Sequence, residues 1–132
     1  MTLEEIRSAI MNELSSSWAT ATAVAWPNQK FNEPNDIWIR PTVRMGETVY
    51  GEIGEDGVGL RSGVLMIQVF DLANNGIKTS LDYAARLETL FRRQDLSGVL
   101  FGESSTDVIG LDSENGYWQT LVSVSFTTWI GE

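Results

Sequence analysis

The sequence predicts an α+β domain: a largely antiparallel or mixed β-sheet with two main helices packed on one face, plus a projecting Gly-rich loop or hairpin. Three observations point there. Patterned segments run in the order helix, strands, helix, strands. Residues 63–70, Gly63-Val64-Leu65-Met66-Ile67-Gln68-Val69-Phe70, form an apolar run that reads as a central strand. Asp112-Ser113-Glu114-Asn115-Gly116 is a strong hairpin turn between two alternating segments. No internal repeat or linker divides the 132 residues, so the chain reads as one domain, 1–132.

In chain order, Thr2 and Glu5 fit a capping box, and Leu3, Ile6, Ile10 and Leu14 keep helical spacing. Ser15-Ser16-Ser17 favours turns and is expected to stop this helix. Trp18 to Trp26 then reads as a strand ended by Pro27, followed by a loop from Asn28 to Asn35. From Asp36 to Arg44 the pattern alternates: Ile37, Ile39 and Val43 point one way, and Trp38, Arg40, Thr42 and Arg44 the other. Pro41 implies an edge position or a bulge.

Six glycines (46, 51, 54, 57, 59 and 63) and the acids Glu47, Glu52, Glu55 and Asp56 mark the loop or hairpin. Thr48-Val49-Tyr50 and Ile53 could pair there as ribbon strands, but the segment offers little area to bury. After the central strand, Asn75-Gly76 makes a turn. Thr79 with Asp82 fits a second capping box, and Leu81, Ala84, Ala85, Leu87 and Phe91 fall on one helical face. Leu96 to Phe101, Asp107 to Leu111 and Tyr117 to Ile130 read as the remaining strands. In the last, Trp118, Val122, Val124, Phe126, Thr128 and Ile130 share one side.

Composition removes whole classes of chemistry. The chain has no Cys and no His, so it has no thiolate nucleophile, no disulfide, and neither of the commonest transition-metal ligands. A net charge of −9, with two Lys and seven Arg scattered along the chain, argues against binding nucleic-acid phosphates. The plainer reading of the acidity is a soluble surface; the sharper one is a wall that repels passing DNA. No apolar run approaches the ~20 residues of a membrane helix. Residues 1–15 lack the zones of a signal peptide, so the expectation is a protein made and kept in the cytosol.

Motif searches fail in informative ways. Gly57-Val58-Gly59 precedes a strand instead of following one, so it lacks the context of a dinucleotide fingerprint. Asp112, Glu114 and Gly116 echo a calcium loop, but Gly falls at the fifth place and Ser123 stands where the closing Glu belongs. Glu52, Glu55, Asp56 and Glu103 are candidates for a carboxylate pair, yet none sits in a segment that reads as rigid. The five Trp suit core and interface packing better than a sugar platform.

A binding or structural role remains, and here a resemblance helps. Trp26-Pro27-Asn28 with Phe31, Ile37-Trp38-Ile39-Arg40, the run 63–70, Asn75-Gly76, Ala84-Ala85 and the closing strand to Phe126 occur in an order that resembles the tail terminator and small tail-completion proteins of long-tailed bacteriophages. The resemblance implies a structural virion protein with no enzymatic activity and no cofactor. Its expected partners are itself, as a ring of six, the tail-tube protein and a head-completion protein, with DNA only as passing cargo. Alternatives are another neck or head–tail adaptor of similar fold and, from a different class, a small acidic hydrolase or carbohydrate-binding module. Trp38, Arg40 and Arg44 are the expected interface, on an exposed strand face, because Trp and Arg concentrate at hot spots. The acids Glu47, Glu52, Glu55 and Asp56 are expected to face the channel or to dock.

Overall fold

The structure is a computed structural model and describes residues 2–18, 20–50, 59–112 and 116–130, with 47–50 and 130 described by backbone alone. Its order is α1 (Leu3–Trp18), β1 (Ala23–Val24), β2 (Trp38–Tyr50), β3 (Gly59–Leu72), α2 (Lys78–Phe91), β4 (Asp95–Leu96), β5 (Val99–Asp112) and β6 (Tyr117–Ile130). The strands form one sheet in the order β1-β2-β3-β6-β5-β4, antiparallel except for the short parallel pair β1–β2. This is the α+β mixed sheet that the sequence predicts.

Period-two alternation builds the core. Ile39, Leu65, Ile67, Val69, Val122, Val124 and Phe126 point to one side of the sheet, where Ile6, Ile10 and Leu14 of α1 and Ala84, Leu87 and Phe91 of α2 meet them. Both helices therefore cover the same face. Gly63 is required at the centre: a Cβ there would stand 2.4 Å from Phe126 Cζ and 2.7 Å from the Arg44 carbonyl oxygen. Met66 points to the opposite face and is half-buried.

Helix α1 begins as expected. Thr2 N–H donates to Glu5 Oε1 at 2.8 Å and Glu5 N–H to Thr2 Oγ1 at 3.1 Å, the reciprocal bonds of a capping box. Leu3 lies outside the buried stripe. The serines do not stop the helix. Ser16 Oγ bonds the Glu13 carbonyl at 3.2 Å and Ser17 Oγ the Glu13 carboxylate at 3.0 Å, so these hydroxyls turn back on their own helix. The helix ends at Trp18, which is 2% exposed and donates to Thr22 Oγ1 at 2.8 Å. The strand expected from Trp18 to Trp26 shrinks to Ala23–Val24.

The second capping box is absent. Helix α2 starts one residue before Thr79, with Ile77 at its N-cap and no side-chain cap bond. Asp82 instead pairs with Lys78 Nζ at 2.7 Å. The buried stripe is Ser80, Ala84, Leu87 and Phe91, while Leu81 and Ala85 are exposed.

The two ends of the segment 46–62, expected as a loop or hairpin, are paired strand. Pairing of β2 with β3 shifts register between Met45 and Thr48, then continues through Thr48↔Arg61, Val49↔Leu60 and Tyr50↔Gly59. Residues 46–50 and 59–62 are thus strand, and 51–58 lie outside the described residues. The strands expected at 96–101 and 107–111 are one long strand, β5, with irregularities at 101–104 and 108–110 that let it stay paired with β6.

Candidate interaction surface

Among the described residues no group of three His, Cys, Asp or Glu side chains could hold a metal ion. What the fold offers is surface: the sheet face opposite the helices and the two sheet edges.

That face is closed at one end by an aromatic cluster. Trp38 stacks on Phe70 with ring centroids 4.2 Å apart at 14°, meets Tyr117 edge-on at 5.6 Å, and is covered by Phe31 at 4.9 Å. Trp38 is 1% exposed, so the expectation of an exposed indole is corrected. Alternation placed it on the right side of the strand. The irregular chain through Ala25 and Phe31 then folds over that side and buries it.

Arg40 and Arg44 are exposed on the same face, as expected. The Arg40 guanidinium sits 5.4 Å from the Trp38 ring centroid and 5.1 Å from that of Phe70, a cation–π lid on the cluster. Arg44 borders a shallow depression of about 660 Å³ whose floor includes Val64 and Met66, with Leu100, Ser125 and Thr127 around it. Of the acidic group, Glu47 lies on β2, with its side chain outside the described residues, and Glu52, Glu55 and Asp56 are outside them altogether.

Two features escape sequence reading. Glu88 of α2 accepts hydrogen bonds from Ser104 Oγ and Thr106 Oγ1 of β5, which hold its carboxyl below the usual carboxylate range. This clamp ties the helix to the outer strand. Further along that strand, Val108, Ile109 and Leu111 are 49%, 58% and 57% exposed. The sequence does not mark this exposure: a strand with no cover reads the same as a covered one until its neighbours are known.

Residues 5–126 match the profile of a family described as phage tail terminator protein. Among solved structures, 16 chains match. One of them, whose name states no function, superimposes with a TM-score of 0.72 at 23% identity, covering 97% of this chain and 96% of its own, a likeness of fold. No curated protein matches the chain.

Proposed function

Because this chain belongs to the phage tail terminator family, we propose that it forms a ring on the last ring of tail-tube subunits, ends tube growth, and offers its outer surface to a head-completion protein. Membership alone carries the coarser statement, a structural part in completing a phage tail. The observation that supports the finer one is the match over residues 5–126, nearly the whole described fold, joined to a sheet whose face opposite the helices and whose long edges are largely uncovered among the described residues. Such a surface suits repeated contact with flat protein partners.

In this reading the protein is a virion component assembled in the host cytoplasm. Arg40 and Arg44 act at a subunit or tube contact, with Trp38 as the buried support that orients Arg40. Glu47, Glu52, Glu55 and Asp56 repel DNA from the channel wall or dock on the tube. The direct test adds purified protein to polymerising tube subunits. Growth should stop when about one ring is present per tube end. Tubes that lengthen at an unchanged rate with the protein in excess would reject the capping role.

A further inference from the structure

The sheet ends on two long edges that few residues of the chain cover. β1 pairs with β2 only at Trp38 and Ile39, and β4 pairs with β5 at Val99 and Leu100, with backbone bonds from Arg93 and Gln94 reaching on to Gly102 and Phe101. Ladder parity shows which backbone groups face outward. Ala25 N–H donates to the Ile39 carbonyl at 2.8 Å, so Ile39 faces away from β3. Every second residue repeats this, which turns Pro41, Val43 and Met45 outward as well. Pro41 therefore costs the internal ladder no hydrogen bond. By the same alternation Val69, opposite Ile39, faces β6; Thr120, Val122 and Val124 then face β3, and their partners Val108, Thr106 and Ser104 face the open side of β5.

A long edge with exposed apolar side chains is a site for adding another strand. Here the two edges match. On the helix side, Val43 and Met45 of β2 are half-buried against the core and leave part of their surface open, and Val108 of β5 is exposed. On the other side, Arg40 and Arg44 border β2, and the exposed Asp107 borders β5. None of these three has an ion-pair partner among the described residues. Strand direction matches too. Along β2, β3, β6 and β5 the chain alternates, so a rotation about an axis along the strands sets β5 of one copy antiparallel to β2 of the next.

We propose that the β2 edge of one copy pairs antiparallel with the β5 edge of the next, Val43 opposite Thr106 and Met45 opposite Ser104, with Pro41, which has no N–H to donate, ending the pairing opposite Val108. That register sets Asp107 opposite Thr42 and diagonal to both Arg40 and Arg44, within reach of long side chains. The contact is head-to-tail, the kind that closes into a ring when its rotation closes. It rests on the ring reading above and names the surfaces that build it.

The test exploits the absence of native cysteine. Thr42→Cys with Asp107→Cys places thiols across the junction at a separation that a disulfide spans. Mild oxidation of assembled tails should give a ladder of covalent multimers, and each single variant should give none beyond a dimer. Rings seen by native mass spectrometry without a ladder would overturn the edge pairing and leave the ring reading standing. Absence of both rings and ladder would overturn the two together. A second measurement needs no variant: amide exchange at Val43 and Val108 in the wild-type protein should slow when rings form. Slowing only after tube subunits are added would assign the edges to the tube instead and reject the proposal.

Discussion

Trp38 shows how a single residue can be read correctly in direction and wrongly in setting. Alternation from Ile37 to Arg44 fixed its side of the strand, but no periodicity reports that an irregular segment will fold back over that side. Its indole N–H has no hydrogen-bond partner among the described residues, so the ring contributes through its aromatic and cation–π contacts. Trp38→Phe should therefore change stability by less than about 1.5 kcal/mol, as near-volume apolar swaps do. Trp38→Ala should cost about 3–5 kcal/mol, read by urea unfolding. Equal losses would mean that the N–H, not the stack, matters. Glu88 gives a pH-dependent counterpart. Its folded pKa is lowered by the Ser104 and Thr106 hydroxyls, so the stabilisation is present above the usual carboxylate pKa and is lost as pH falls through the folded value. Glu88→Ala should cost on the order of 1–3 kcal/mol at pH 7. The gap to wild type should narrow in acid; a gap independent of pH would show that packing, not the carboxylate, is responsible.

The elements follow their apolar periods closely, and their ends follow local competition. Thr2 with Glu5 and Thr79 with Asp82 are the same pattern, and only the first caps a helix. At the second, Lys78 takes the Asp82 carboxylate and the helix starts before Thr79 can act as a cap. Thr2→Ala should accordingly cost about 1 kcal/mol, and Thr79→Ala only a few tenths. The face of α2 was legible at Leu87 and Phe91, which are fully buried, and Leu87→Ala or Phe91→Ala should cost about 2–5 kcal/mol. Strand lengths were less legible than strand faces. Gly46 reads as the start of a loop, whereas it lies at a register shift that the ladder passes through. Of the two edges only that of β2 was legible, through Pro41; that of β5 was not, because strand order depends on pairings far apart in sequence.

Across the molecule as a whole, a chain of net charge −9 keeps Arg40 and Arg44 exposed together on one sheet face, the pair proposed above to make the contact. In a ring, Glu47, Glu52, Glu55 and Asp56 repeated around the wall would repel DNA within a Debye length, ~8 Å at physiological salt. Changing all four to Lys should lower DNA delivery by finished particles while capping persists. Lost capping would make the segment a docking element, and unchanged delivery would put it outside the channel. Whether this protein ends the growth of a tail tube, as proposed above, shows first in tail length. Electron micrographs of particles made without the gene should show overlong tubes unattached to heads, with wild-type lengths restored by supplying the protein. Tails of normal length joined to heads in its absence would contradict the claim.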